Sequence, residues 1–170
     1  MNKIFIKLAI YICPLLFLTQ SCGVYSFTGG SIPVEMKTVS VQFFENTAPL
    51  VVPYLSTQFT EALKERIRNQ SRLSFVRNEG DGNFEGRITG YSIQPAAVEA
   101  TQNQRAALNR LSITVSVKFI SNVKPELSFE QSFTRFVDFA GSLQTEESKS
   151  ITNINTQLTE DIFNRAFANW

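Results

Sequence analysis

The chain has 170 residues, with 16 Lys or Arg against 15 Asp or Glu and no histidine. This balance argues against nucleic acid as a partner, because nucleic-acid binding depends on Lys and Arg gathered along one surface. The lack of histidine excludes Ser-His-Asp and Cys-His nucleophiles and every histidine-based zinc site.

The first residues have the pattern of a bacterial lipoprotein signal. Two lysines precede an apolar run from Leu8 to Leu18, which is too short to cross a bilayer comfortably. The letters "TQS" then lead directly into Cys22 and resemble a lipobox, although the usual lipobox has leucine where this chain has Thr19. We expect residues 1–21 to be a lipoprotein signal peptide.

Cysteine usage favours lipid attachment at Cys22. Cys13 would be removed with the signal, so the mature chain would keep one cysteine and could form no internal disulfide. Acyl chains on Cys22 would bind the membrane, each buried methylene adding about 0.8 kcal/mol of affinity. A transmembrane anchor is the alternative. We expect this covalent lipid and no other cofactor and no metal.

The next residues predict a tether and then one domain. Residues 22–35 are rich in glycine and serine and show no hydrophobic period, which is typical of a flexible, lipidated tether. Residues 36–170 are long enough for a single domain with its own core. Ser, Thr, Asn and Gln make up about a third of the chain, so we expect a polar surface with few charges.

A strand and a helix are predicted first in this domain. Two-residue alternation places Val39, Val41 and Phe43 on one side of a first strand. An amphipathic helix is predicted over roughly residues 53–70, with Pro53 in its first turn. Its apolar positions are Leu55, Phe59, Ala62, Leu63 and Ile67. A short strand follows in "RLSFV".

Longer strands occupy the middle of the chain. One begins at Phe84, and its glycines, Gly86 and Gly90, are expected on one face at a bulge or a close approach. The stretch "LSITVSVKF" alternates apolar and mostly hydroxyl side chains, and "LSFEQSFTRFVDF" is predicted to return beside it. The apolar residues of that returning strand are Phe129, Phe133, Val137 and Phe139. A second long helix is predicted from Ile151, Ile154, Leu158, Ile162 and Ala166, flanked by Phe163, Phe167 and Trp170.

This order of elements predicts an α+β fold. We expect a two-layer sandwich, with a mostly antiparallel sheet of four or five strands and two long helices packed on one face. The first strand and the strand after the first helix should pair in parallel through a crossover. The other sheet face, which carries Thr114, Ser116, Ser132 and Thr134, is left for something polar.

Carboxylates are the only groups left for catalysis. Asp138, Glu130 and Glu85 lie on predicted strands, but nothing in their spacing marks one as buried or coupled to another. A hydrolase that uses Asp138 with Glu130 or Glu85 is kept as a hypothesis to test. The prediction is that the protein is not an enzyme.

Basic residues on the strands are the other chemical feature. Arg87, Arg110, Lys118 and Arg135 lie on or beside predicted strands. Cations among hydroxyls on an exposed face could hold phosphate groups. Simple solvation of the sheet face is the alternative.

Several segments together resemble a known family. They are "SCGVYSF", "IPVEMKTVSVQFFENTAP", "FEGRITGY", "ALNRLSITVSVKF", "FEQSFTRF" and "EDIFNRAFANW". In this order they resemble the LptE type of lipopolysaccharide-assembly lipoprotein over essentially the whole mature chain.

The resemblance implies a function for the domain. It implies a protein of the periplasmic leaflet of the outer membrane, which plugs a large β-barrel translocon of the LptD type, helps to assemble it, and binds lipopolysaccharide. The four basic residues are then candidates for contact with lipid A phosphates, and the lipid on Cys22 is the membrane contact. The alternative is a periplasmic lipoprotein that captures a lipid or glycan independently of a barrel.

Overall fold

The computed structural model describes residues 32–96 and 108–168, which form two helices and six strands. In chain order these are β1 (Thr38–Val41), β2 (Glu45–Asn46), α1 (Leu55–Gln70), β3 (Ser74–Phe75), β4 (Gly82–Ala96), β5 (Leu108–Ser121), a 3-10 turn (Pro125–Leu127), β6 (Phe129–Ala140) and α2 (Leu143–Phe167). The predicted signal peptide and Cys22 lie outside the described residues. The last residues of the predicted tether form a turn, in which the Met36 N–H donates to the Pro33 carbonyl at 3.0 Å.

The strands form one mixed sheet in the order β3-β1-β4-β5-β6. Strands β4, β5 and β6 are antiparallel, whereas β1 pairs in parallel with both β3 and β4. Strand β2 pairs in parallel with β4, further along the edge that β1 occupies. The predicted α+β fold and the parallel pairing of β1 with β3 are confirmed. The sheet has six strands, one more than the upper number expected, because β2 has only two residues and is too short to show a period in the sequence.

Both helices cover the same face of the sheet. The predicted stripe of α1 is confirmed at Leu55, Phe59, Leu63 and Ile67, which are fully buried, whereas Ala62 is only half-buried. The helix begins two residues after Pro53. The predicted stripe of α2 is also buried, at Ile151, Ile154, Leu158, Ile162, Phe163, Ala166 and Phe167. These residues meet the apolar side of β4 and β5 to form one core. Aromatic rings fill one end of it, where the Phe119 ring centroid lies 4.6 Å from that of Phe84 and 5.6 Å from that of Phe167.

The prediction that Phe43 continues the first strand on the same side as Val39 and Val41 is wrong. Strand β1 ends at Val41, and the alternation is broken before β2 begins. Phe44 is buried instead, where its backbone N–H donates to the hydroxyl of Thr60 at 3.1 Å and its ring packs edge-on against Phe59. Phe43 is left exposed because an irregular segment between two short strands need not keep the two-residue period.

A bulge in β4 separates its two interior glycines. The pairing with β5 shifts register between Ile88 and Gly90, as predicted for this strand. The prediction that Gly86 and Gly90 share a face is wrong, because the extra residue turns the strand over. Gly86 lies under the Phe44 ring on the helix side, whereas Gly90 lies against the side chain of Thr114 on the other side.

Neither helix in the described part of the chain is both long and apolar enough to span a membrane.

Candidate functional site

The sheet face opposite the helices, called the open face here, has no described helix over it. Alternation along the strands places on it the side chains between the buried ones. The open face comprises Glu85, Arg87, Ser92 and Gln94 of β4, Arg110, Ser112, Thr114, Ser116 and Lys118 of β5, and Glu130, Ser132, Thr134, Phe136 and Asp138 of β6. Half of these residues are uncharged and polar. This face is the best candidate for a functional site in the described structure.

Hydroxyl groups occupy the middle of the open face. The hydroxyls of Thr114 and Thr134 hydrogen-bond each other across β5 and β6 at 2.9 Å. Ser116 lies opposite Ser132 in the same register. Hydroxyl groups are uncharged and can both donate and accept hydrogen bonds, so this central strip can hydrogen-bond to either donors or acceptors on a polar surface.

The charged residues of the open face are balanced. Arg110 binds Asp138 through two hydrogen bonds of 2.7 and 2.9 Å. The Lys118 ammonium lies 3.9 Å from the Glu85 carboxylate, and Glu130 is its register neighbour on the other side. Cations and carboxylates therefore largely neutralise each other within the face.

Arg110 is the most constrained of these cations. Its guanidinium also lies over the ring of Phe136, 3.9 Å from the ring centroid. Phe136 is 49% exposed, so this stack forms an apolar and cationic spot at one end of the open face. Hydrogen bonds from Arg110 hold the pKa of the Asp138 carboxyl below its usual range. Asp138 is thus ionised at neutral pH, which does not suit the proton-donating role that a hydrolase would need from one carboxyl of its pair.

Arg87 differs from its neighbours on the open face. Its side chain is exposed, and no ion pair joins it to a carboxylate among residues 32–96 and 108–168. Its register neighbours are Glu45 on β2 and Ser116 on β5. Within the described structure, Arg87 is therefore the open-face cation best placed to meet an external anion.

Arg135 lies on the other side of the sheet from the three remaining candidate cations. It makes two hydrogen bonds of 2.6 and 2.7 Å to Asp161 of α2, and so ties the edge strand to the helix above it. The sequence contained the signal for this placement. Arg135 is two residues from both Phe133 and Val137, so the alternation that puts those residues on the helix side puts Arg135 there too.

The carboxylates in the described residues form no group suited to a metal ion. What the open face offers is a broad surface rich in hydroxyls, with paired charges and one arginine, Arg87, that has no ion pair among the described residues. Such a surface can form hydrogen bonds over a large area.

Comparison with known proteins identifies the family. A family model described as "LptE: Lipopolysaccharide-assembly" matches residues 36–166, which is most of the chain. The chain belongs to the LptE family. It is therefore a member of a non-catalytic family of lipopolysaccharide-assembly lipoproteins, and the family match covers all the strands of the open face.

Solved structures similar to this chain have low sequence identity to it. A hypothetical protein from Chlamydia trachomatis has 9% identity and a TM-score of 0.54, over 76% of this chain and 95% of that one. Rare lipoprotein B from Shewanella oneidensis has 13% identity and a TM-score of 0.46, over 74% and 91%. A minor lipoprotein from Acinetobacter baumannii has 13% identity and a TM-score of 0.44, over 76% and 91%. At 9% identity, the likeness to the Chlamydia trachomatis protein shows a shared fold alone. No curated protein matches the sequence of this LptE family member.

Proposed function

We propose that this chain is a non-enzymatic outer-membrane lipoprotein whose domain plugs the lumen of an LptD-type β-barrel and helps to assemble it. In this role it aids insertion of lipopolysaccharide into the outer membrane. A lipid on Cys22 would hold the protein on the periplasmic side. The observation that supports the plug role best is the neutral, hydroxyl-rich open face on a chain of the LptE family.

The physical reason lies in the cost of burying charge. The lumen of an outer-membrane barrel is polar and water-lined. A domain that enters it loses water from its surface, and an unpaired charge buried without a partner costs several kcal/mol. On the open face, Arg110 and Lys118 already have carboxylate partners at 2.7 and 3.9 Å. The open face can therefore pack against the polar inner surface of a barrel with few buried, unpaired charges.

Co-purification tests this proposal. The full-length lipoprotein, tagged at its C-terminus, is extracted in mild detergent from cells that also carry a differently tagged LptD-type barrel. We expect the two proteins to elute together, and we expect the amount of assembled barrel to fall when the lipoprotein is depleted. A lipoprotein that elutes alone, with the barrel intact in its absence, would contradict the proposal.

Lipopolysaccharide is the proposed ligand of the open face, and among its cations Arg87 is the first candidate for a phosphate contact. Arg110 and Lys118 would have to exchange a carboxylate for the phosphate. Arg135 would have to release Asp161. An arginine with no ion pair in the described structure avoids that exchange, and its planar guanidinium can bind two phosphate oxygens at once.

A pair of charge-removing variants tests the phosphate contact. Because a hydrogen bond to a charged group is worth about 1.5 to 3 kcal/mol, we expect Arg87→Gln to lower the retention of lipopolysaccharide on the purified lipoprotein by about tenfold or more. Arg135→Gln removes the same charge from the helix side and should leave retention unchanged. Equal losses in the two variants would show that net charge matters and that the position of Arg87 does not.

A further inference from the structure

The loop between β2 and α1, residues 47–54, has a composition that the open face does not explain. From Asn46 to Thr60 the chain has 15 consecutive residues without a single Asp, Glu, Lys or Arg. The loop itself reads "TAPLVVPY". A surface loop of this length is usually polar, so a persistently apolar one calls for a reason.

The loop is held in place by its own hydrogen bonds. The side-chain oxygen of Asn46 accepts the N–H of Ala48 at 3.0 Å, and its side-chain amide donates to the carbonyl of Val52 at 3.4 Å. Thr47 binds the carbonyl of Ile88 through both its N–H and its hydroxyl, at 2.9 and 3.0 Å. Ala48 and Val52 are both buried. The two ends of the loop tip are thus fixed to the sheet and the core.

This anchoring leaves two aliphatic side chains in solvent. Leu50 is 53% exposed and Val51 is 59% exposed, between the exposed prolines Pro49 and Pro53. We call residues 49–53 the apolar tip. Its prolines and its anchored ends restrict it before any partner arrives, so little conformational entropy is left to lose on binding. A restricted apolar projection is a feature of interaction surfaces.

Charge near the apolar tip disfavours an anionic membrane as its occupant. Anionic lipid surfaces attract clusters of Lys and Arg, and the stretch from Asn46 to Thr60 has neither. The next residue after the tip, Tyr54, donates its hydroxyl to a carboxylate oxygen of Glu147 at 3.1 Å. The immediate surroundings are therefore neutral to acidic, which suits a protein surface better than a bilayer.

The position of the apolar tip points the same way. The tip precedes the N-terminal end of α1, whereas Pro33 and Met36 lie with Gln70 and Leu73 around a cleft at its C-terminal end. A helix of 16 residues is about 24 Å long. The chain therefore arrives from the proposed lipid on Cys22 at one end of the domain, and the tip projects from the other.

We propose that Leu50 and Val51 insert into an apolar pocket on the LptD-type barrel partner and seat the domain in it. The proposal rests on the proposed function, because it names the contact by which that partner is held. The open face then supplies broad polar contact, and the apolar tip supplies a small desolvated anchor. Interfaces of this kind owe much of their affinity to a few buried side chains.

Binding variants test the anchor. In the full-length lipoprotein, the double substitution Leu50→Ser with Val51→Ser should lower recovery of the tagged barrel by about tenfold or more. The matched control is Val34→Ser, which removes an aliphatic side chain that is 79% exposed at the other end of the domain. It should leave recovery unchanged. Both proteins should melt within a few degrees of the parent, since the substituted side chains lie largely in solvent. Unchanged recovery with the double variant would overturn the proposal.

Photo-crosslinking separates this proposal from the proposed function. A photoreactive residue at Val51 should give an adduct with the barrel, and one at Val34 should not. Adducts at Val51 that contain only lipid, or a second copy of this chain, would overturn the anchor. The same holds if Val51 gives no adduct while a probe at Ser116 on the open face does, and in that case the plug function would stand. No adduct at either position, together with no co-purification, would overturn both.

Discussion

The two faces of β5 come from alternate residues of one strand, yet they differ in almost every property. Toward the helices, Leu111, Ile113, Val115, Val117 and Phe119 are all fully buried. Toward the open face, the residues between them are three hydroxyl side chains and Lys118, which remain partly or largely exposed. Apolar burial stabilises the fold at about 25 cal/mol per Å², so stability resides on the helix side. The residues of the open face contribute less to stability, so their chemistry can be suited to binding a partner.

The largest expected effect on this contrast comes from a comparison of two phenylalanine substitutions. Phe119→Ala removes a fully buried ring that packs against Phe84, Phe129 and Phe167. It should lower the free energy of unfolding by about 3 to 5 kcal/mol in urea denaturation. Phe136→Ala on the open face should cost less than about 1 kcal/mol. Similar losses for the two rings would mean that the open face also supports the fold.

The glycines on the two sides of the β4 bulge give the next test. A Cβ on Gly86 would collide with the Ser116 carbonyl and the Phe44 ring, and backbone cannot move aside easily. Gly86→Ala should therefore lower the free energy of unfolding by about 1 to 3 kcal/mol. A Cβ on Gly90 would meet the Thr114 side chain at 3.1 Å, so Gly90→Ala should cost less. Thermal and urea unfolding measure both, and the reverse order would contradict the assignment of the two faces.

A smaller effect is expected from a polar contact on the helix side. Glu147 of α2 accepts hydrogen bonds from Tyr91 at 2.6 Å and from Tyr54 at 3.1 Å. Burial, and then the hydrogen bond to Glu147, raise the pKa of Tyr91, so that hydroxyl stays protonated and donating at neutral pH. Glu147→Gln should lower the free energy of unfolding by about 1 to 2 kcal/mol. Glu65→Gln on the exposed side of α1 serves as the control and should stay within about 0.5 kcal/mol of the parent.

The smallest predicted effect is a pH dependence on the open face. Arg110 lowers the pKa of Asp138, so the folded state binds this proton less readily than the unfolded state does. The stability that the pair contributes is therefore present above the unfolded pKa of about 3.9 and is lost as pH falls through the folded pKa. Asp138→Asn should be less stable than the parent at pH 7, and the difference should shrink under acid. A difference that grows under acid would contradict this pairing.

Periodicity predicted the helix side of the fold well. The stripe of α1 from Leu55 to Ile67 and that of α2 from Ile151 to Ala166 repeat the helical spacing over several turns, so each residue supports the next. Strand β2 has only two residues, too few to show a period. The exposure of Phe43 follows from the end of β1 at Val41, which the alternation of residues in the sequence does not reveal. The bulge in β4 was expected, but the resulting position of Gly90 on the open face was not.

The candidate site was predictable in part. The hydroxyl-rich face of β5 follows from alternation, and so does the helix-side position of Arg135. The pairing of Arg110 with Asp138 depends on the register between β5 and β6, which is set by the turn between them and by core packing. The exposure of Leu50 and Val51 depends on the hydrogen bonds of Asn46, which composition does not reveal.

Two threonine variants test most directly whether the open face is the partner-binding face. Thr134→Lys places a new charge in the middle of that face, and Thr152→Lys places the same charge on the exposed side of α2. The two variants are compared at matched melting temperatures. Recovery of the tagged barrel on the full-length lipoprotein should fall by about tenfold or more for Thr134→Lys, because the new charge would be buried unpaired. Recovery should be unchanged for Thr152→Lys. Equal recovery for the two variants, or a loss only with Thr152→Lys, would contradict the account.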